Sequence, residues 1–295
     1  METAWMTAKM ALLLVNPNSR RGRASLPKVR SLLDQAKIRY VERPADTTET
    51  TSEAIVNRAQ EIDCVIVGGG DGSLNAAASG LLQTKLPLGV LPLGTANDFA
   101  RTVGLPLDLE AAVGVIARGK TAPIDLGMAN EHPFFNVASI GFSADLAMSL
   151  TEEAKKRWGK LGYAIVAARL LAGSRLFTAE LEHDGRTEEL RTFQVAVGNG
   201  RFYGGGMAVH ADATAQDGML DFYSLEVDHW WKLLTLLPSL RKGTQGSWND
   251  VRAFSTKDLI IRTSKARAVN LDGELKTETP VHFSIIEKAV PVFIP

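Results

Sequence analysis

Cysteine is nearly absent: Cys64 is the one thiol in 295 residues. That excludes an intramolecular disulfide framework and any multi-cysteine zinc site, and makes a reducing compartment the expected setting. An excess of either charge is missing too, with 33 Lys+Arg against 33 Asp+Glu. Proteins that coat nucleic acid carry a basic surplus, so no nucleic-acid partner is expected. No window approaches the roughly 18 consecutive apolar residues of a membrane span. Unlike a secretory signal, the opening Met1-Glu2-Thr3 carries an acid, and the apolar run Met10–Val15 stops at Asn16-Pro17. His132, His183, His210, His229 and His282 lack metal-ligand spacing and are expected to be surface or packing residues. There is no internal repeat and no low-complexity linker. These absences together lead us to expect a soluble, cytoplasmic protein.

What is present is an ordinary globular balance, 45% hydrophobic and 22% charged. At roughly 150 residues per domain the length suggests two domains, each able to bury a core. Up to about Gly127, buried-type strands (Met10–Val15, Cys64–Val67, Leu88–Leu93) alternate with amphipathic segments. Leu26, Val29, Leu32, Leu33 and Ala36 have helical spacing, with Pro27 tolerable near a helix start. A second helical segment follows the threonines at 47–51, and Asp108 to Gly119 reads as a helix capped at both ends. This rhythm predicts an α/β domain on a parallel sheet.

Beyond Gly127 the runs Phe134–Ala138, Phe193–Val197, Met219–Val227, Leu259–Arg262 and Val281–Ile286 are short and β-rich. Asp184-Gly185 and Asp272-Gly273 read as hairpin turns. Sustained helix is expected only at about 151–172 and 229–240. The second domain is therefore expected to be a β-sandwich.

Three loops follow the first domain's strands. Gly68-Gly69-Gly70-Asp71-Gly72-Ser73 lies between a buried strand and a helix, where backbone N–H groups and a helix N-terminus favour phosphate. It is no Walker A sequence, and no acidic ribose partner falls about 20 residues on. An aspartate inside such a loop points to a cation between it and the phosphate, as in phosphoryl transfer. A Gly-rich turn without ligand is the bland alternative. Gly94-Thr95-Ala96-Asn97-Asp98-Phe99-Ala100 adds a hydroxyl, an amide and a carboxylate at the same sheet edge, with helix capping by Asn97 or Asp98 as its alternative. Asn16-Pro17-Asn18-Ser19-Arg20-Arg21-Gly22 is the third; its arginines suit phosphate or a solvated turn equally.

At these loops the sequence resembles the diacylglycerol kinase catalytic-domain family. That family includes sphingosine kinases and soluble bacterial lipid kinases of the diacylglycerol kinase and YegS types. The resemblance spans nearly the whole chain. Asn16-Pro17-Asn18-Ser19, Gly69-Gly70-Asp71-Gly72-Ser73 and the more specific Gly94–Ala100 match its motifs. Phe135-Asn136-Val137-Ala138 with Gly141-Phe142, Gly198-Asn199-Gly200, Asp217-Gly218-Met219-Leu220-Asp221 and Asp272-Gly273-Glu274 follow in the family's order.

The resemblance implies an ATP-binding first domain (1–127), a β-sandwich lipid-substrate domain (128–286), an active site in the cleft between them, and a terminal segment (287–295) that returns to the first domain. It implies an ATP- and Mg²⁺-dependent lipid kinase. ATP contacts would fall on Asn18, Ser19, Gly22, Gly69, Gly70, Asp71, Gly72, Ser73, Asn75 and Thr95. Glu274 would be the general base, with Asp71 acting through Mg²⁺ or as a second base. Asp217 with the carbonyls of Thr214 and Met219 would hold a structural Mg²⁺. Without that context, Asp272-Gly273-Glu274 and Asp217-Gly218 are simply turns.

Four positions depart from the family pattern: Ser73 for Thr, Ala76 for Glu, Ser143 for Asp, and Pro44 in place of an ATP-contacting threonine. The alternatives are an NAD-kinase-like enzyme on a soluble hydroxyl and a non-catalytic nucleotide- or lipid-binding regulator. Two segments bear on peripheral contact with an inner membrane face. Residues 151–175 hold six basic and two acidic residues with Trp158 and Tyr163 among them; His229–Lys242 is leucine-rich, acid-free and holds Trp230 and Trp231. Packing on the sandwich and contact with anionic lipid explain such composition equally well.

Overall fold

In the computed structural model, residues 10–15, 20–44, 47–149, 173, 175–227, 229 and 231–295 are described. The chain forms two compact units. One comprises Met1–Leu126, Ala215–Asp217 and Ile286–Pro295; the other comprises Gly127–Thr214 and Gly218–Ile285.

The first unit is an α/β domain. Its strands β1 (Met10–Val15), β2 (Arg39–Glu42), β3 (Cys64–Gly69) and β4 (Leu88–Pro92) are parallel in the order β2-β1-β3-β4. Leu12, Val65 and Leu88 are buried on adjoining strands, as the continuous apolar runs demand. Helix α1 (Arg20–Gln35) buries Val29 and Leu33. It begins earlier than its apolar spacing suggests, so Pro27 stands in its interior and not near its start. A proline there removes a ladder bond at a cost of about 3 kcal/mol, which the buried face must offset.

Helix α2 (Thr51–Asn57) starts in a capping box: Glu53 N donates to Thr50 Oγ1 at 3.2 Å, and Thr50 N to a Glu53 carboxylate oxygen at 2.7 Å. Helix α3 (Asp71–Thr84) leaves β3 through Gly70 alone. The short α4 (Asp98–Thr102) follows β4, and α5 (Leu109–Arg118) is capped by Asp108, which accepts from Ala111 N, and by Gly119 at φ +74°. Strand β5 (Thr121–Ala129) carries the chain onward.

The second unit is an antiparallel sandwich. Strand β6 (His132–Phe134) pairs with the end of β5, and β7 (Val137–Gly141) leads into helix α6 (Phe142–Ser149). The hairpin β8 (Phe177–His183) and β9 (Arg186–Thr192) turns on Asp184 and Gly185, both at positive φ. Next come β10 (Gln194–Gly198), the small pair β11 (Phe202–Tyr203) and β12 (Met207–Ala208), and β13 (Leu220–Leu225). Helix α7 (Lys232–Lys242) precedes β14 (Val251–Thr256), β15 (Asp258–Thr263), β16 (Ala268–Leu271), β17 (Glu274–Glu278) and β18 (Val281–Phe293).

One sheet runs β14-β13-β10-β7-β16-β17; in the other, β15 lies between β18 and β8. Phe134, Ile140, Phe177, Leu181, Val197, Phe222, Leu259, Ile261, Val269 and Phe283 fill the space between the sheets. On the outer face of the first sheet, Leu233, Leu236 and Leu240 of α7 pack with Val209, Tyr223, Leu225 and Val251. The α/β-plus-sandwich architecture is the one the sequence predicts. The expected helix at 151–172 lies outside the described residues.

Candidate active site

In the first unit, the loops after β3 and β4 are built against each other. Leu93 N and Gly94 N both donate to the Gly69 carbonyl, at 3.0 and 3.1 Å. A Cβ on Gly94 would sit 2.4 Å from Gly70 Cα, and one on Gly69 would sit 2.2 Å from Ser73 Oγ. Gly68 packs on Val15 at similarly close range. These three glycines therefore have packing reasons of their own, and glycine richness alone does not indicate a ligand.

Asp71 joins the two loops. At the first position of α3, its carboxylate accepts from Asp98 N (3.2 Å) and Phe99 N (3.0 Å), the first backbone N–H groups of α4. Side-chain capping by Asn97 or Asp98, the alternative reading of this loop, is not what holds α4. Asn97, at φ +52°, folds its amide back on Gly94, accepting from Gly94 N at 2.9 Å and donating to Gly94 O at 3.1 Å. Phe99 is fully buried and fixes the helix from below. Gly72 and Thr95 stand exposed beside the α3 N-terminus, Ser73 is half-buried, and Asn75 is buried one turn in. Gly22 is buried in the first turn of α1; Asn18 and Ser19 lie outside the described residues. Pro44 is exposed, and Thr47 Oγ1 accepts from Glu49 N at 3.1 Å.

In the second unit, motifs far apart in sequence converge. Asp272 and Gly273 form the β16–β17 turn at φ +51° and +98°. The Asp272 carboxylate accepts from Phe135 N (2.7 Å), Asn136 N (2.9 Å) and Val137 N (3.1 Å), while its own N–H donates to Val137 O. Asn136 O accepts from Asn199 N and Gly200 N, and Asn199 Nδ2 donates to Phe135 O at 2.8 Å. Glu274, the first residue of β17, is exposed at the end of this anchored turn. The run Phe134–Ala138 is consequently not one strand: β6 ends at Phe134 and β7 begins at Val137, because the intervening N–H groups point at Asp272.

Ser143, at the head of α6, donates through N–H and hydroxyl to the Gln194 side chain, whose amide donates to Tyr223 OH; the Tyr223 and Tyr203 hydroxyls are hydrogen-bonded. Burial pushes the Tyr223 phenol up to about 12, and it raises the Asp145 carboxyl from its ordinary value, opposed by Arg267.

Thr214, Asp217 and Met219 lie on the loop before β13, which Ala215 O fixes by accepting from Asp125 N at 2.8 Å. Asp217 and Thr214 are exposed, and Gly218 turns the chain at φ +69°. A solvent-facing carboxylate is the kind of oxygen ligand that suits Mg²⁺, which retains several waters. Among the described residues no group of three or more His, Cys, Asp or Glu is placed to hold a metal.

Asp272 is a functional candidate that sequence reasoning missed; an aspartate beginning an Asp-Gly turn looks like ordinary turn chemistry.

Two protein-family models match the chain: the diacylglycerol kinase catalytic domain over residues 10–129, and the YegS C-terminal NAD kinase beta sandwich-like domain over residues 136–294. The chain belongs to the diacylglycerol kinase catalytic-domain family. It is 29% identical to the diacylglycerol kinase of Bacillus subtilis (strain 168) over 97% of each chain. It is 33% identical to the diacylglycerol kinase of Mycobacterium tuberculosis (strain ATCC 25618 / H37Rv) over 80% of this chain and 78% of that one. A crystal structure of a diacylglycerol kinase from Bacillus anthracis (strain Sterne) shares the fold, with a TM-score of 0.80 at 24% identity over 97% of each chain. As a member of the diacylglycerol kinase family the protein is a kinase. Among the described residues no helix is long and apolar enough to cross a membrane.

Proposed function

We propose that this kinase transfers the γ-phosphate of ATP to a hydroxyl of a lipid such as a diacylglycerol, phosphatidylglycerol or a sphingoid base, working in the cytoplasm at the inner membrane face. The loops after β3 and β4 hold the triphosphate, through backbone N–H groups around Gly70 to Ser73 and the Thr95 hydroxyl, with Asn18, Ser19, Gly22 and Asn75 completing the contacts. The lipid oxygen bonds to the γ-phosphorus, the bond to the β,γ-bridging oxygen breaks, and ADP leaves. Glu274 takes the hydroxyl proton.

The observation that carries this reading is the Asp71 carboxylate, which accepts two N–H groups of α4 and so fixes both loops at one sheet edge. With both oxygens engaged in holding α4, Asp71 is assigned to positioning and to the cation side of the reaction, leaving the base to Glu274. Bound Mg²⁺ would neutralise charge on the transferring group. Asp71 would hold it there, and Asp217 with the Thr214 and Met219 carbonyls would hold a structural ion.

Radiolabelled ATP offered with diacylglycerol, phosphatidylglycerol, sphingosine or NAD tests the proposal. Label is expected in a lipid, and turnover is expected to fall at least about 10²-fold in Glu274→Gln. Label in NAD alone would transfer the reading to a soluble substrate. Full turnover by Glu274→Gln would overturn the assignment of the base.

A further inference from the structure

Among the described residues, three large exposed hydrophobic side chains fall within one short stretch of the second unit: Trp231 at 50%, Leu237 at 43% and Trp248 at 39% exposure. Exposed apolar residues scattered singly are ordinary, but a cluster around one helix signals an interaction surface. Helix α7 turns Leu233, Leu236 and Leu240 inward. At 100° per residue its opposite side carries Trp231, Thr235, Pro238 and Lys242, all exposed. Leu237 stands at one flank. Trp248 is fixed near the other, its Nε1 donating to Ser239 Oγ at 3.0 Å.

The helix and the loop after it carry charge of one sign. Arg241 and Lys242 are exposed in the last turn, and no Asp or Glu occurs from His229 to Asn249. The acids that border this stretch are Asp228 and Asp250, and Asp250 is engaged by Lys232 Nζ at 2.9 Å. Cations at a helix C-terminus complement its dipole, which accounts for the two charges but not for the exposed Trp and Leu. Protein interfaces deplete charge at their apolar cores. Tryptophan and leucine interleaved with basic residues, without acids, instead match a bilayer interface with anionic headgroups.

We propose that the solvent face of α7 docks on an anionic lipid bilayer, with Trp231 and Leu237 seated at the headgroup level and Arg241 and Lys242 against lipid phosphates. The proposal rests on the lipid-kinase reading and names the surface by which such an enzyme reaches its substrate.

The test is co-sedimentation of the full chain with vesicles of phosphatidylcholine alone or mixed with phosphatidylglycerol, at low and high salt. Binding is expected only to the anionic vesicles and is expected to weaken with salt. Trp231→Ser with Leu237→Ser, and separately Arg241→Gln with Lys242→Gln, should each weaken it about tenfold or more. All four side chains are exposed, so both variants are expected to keep the wild-type circular dichroism. Phosphorylation of vesicle-borne diacylglycerol should fall in step, while that of a dispersed short-chain diacylglycerol is unchanged. Wild-type vesicle affinity in both variants overturns the docking face. So does self-association that the variants abolish without any vesicle binding, which would assign the face to a second copy of the chain. Vesicle binding as expected with no lipid phosphorylated by either assay supports the docking face and instead defeats the kinase substrate assignment.

Discussion

Asp71 and Asp272 perform the same task in different units: each places an acceptor-only carboxylate against consecutive backbone N–H groups of a distant segment. Hydrogen bonds to a charged group contribute about 1.5–3 kcal/mol each. Asparagine offers one acceptor oxygen and turns an NH₂ toward donors, so Asp272→Asn is expected to destabilise the second unit by about 1–3 kcal/mol. Because the Glu274 turn then loses its anchor, kcat should also fall about tenfold or more while the Kd for ATP is unchanged. Glu274→Gln removes an exposed carboxylate, so it should lower kcat without shifting the denaturation midpoint. Equal midpoints for the two variants would refute the anchoring role. Asp145 makes a different prediction. Burial raises its folded pKa above the unfolded value, so the native state holds the proton more tightly and stability is lost as pH rises through that folded value. Asp145→Asn removes the loss. Its Tm should match the wild type at a pH below the unfolded carboxylate value and exceed it by a constant margin once the pH is above the folded value, and a pH-independent difference would show that burial of charge is not the cause.

At the scale of elements, close backbone approaches set the two loops and the end of α7. Gly94→Ala places a Cβ 2.4 Å from Gly70 Cα, where only backbone can move away. We expect that variant to lose ATP affinity by at least about tenfold in calorimetry, since the loops must separate to admit the methyl group. Unchanged affinity would show that loop contact is not needed for the nucleotide site. Gly243 closes α7 at φ +74°, and a Cβ there would lie 2.5 Å from Ala211 N. Gly243→Ala is expected to cost about 2–4 kcal/mol in denaturant unfolding, more than the usual penalty for a helix C-cap. Much of this scale was legible in the sequence, and for identifiable reasons. Buried parallel strands announce themselves as apolar runs, Asp108 and Gly119 carry the chemistry of their caps, and Asp-Gly pairs mark turns at positive φ. Strand β2 was not legible, because Arg39-Tyr40-Val41-Glu42 pairs at an edge and carries little apolar signal. Nor was the break after Phe134 or the role of Asp272, because both depend on a turn more than 130 residues away in the chain. No local pattern records such a partnership.

The whole molecule is not two consecutive beads. The first unit is assembled from three separate pieces of chain, of which Ile286–Pro295 is the last. That piece is firmly built in. Val290, Val292 and Phe293 are fully buried, Val292 lies opposite Leu88 of β4, and Lys288 N donates to the buried Asp125 carboxylate at 2.6 Å. Lys85 Nζ and Lys120 Nζ donate to the carbonyls of Ala289 and Pro295 at 3.1 and 2.7 Å. Burial of a Val or Phe side chain stabilises by about 1.5–3 kcal/mol. The three together therefore represent a sizeable part of the 5–15 kcal/mol that typically separates folded from unfolded. Removing residues 287–295 would also leave β4, buried along its length, paired with β3 alone and open on its other edge. The truncated chain is expected to lose hydrogen-exchange protection in β1, β3 and β4 and to lose ATP binding, although every proposed ATP contact is still present in it. Phe293→Ala, expected to cost about 3–5 kcal/mol, gives a graded version of the same experiment. Retained protection and nucleotide affinity after truncation would mean that residues 10–126 fold without their last strand, and the segment's role would then have to be sought in the sandwich strand it continues.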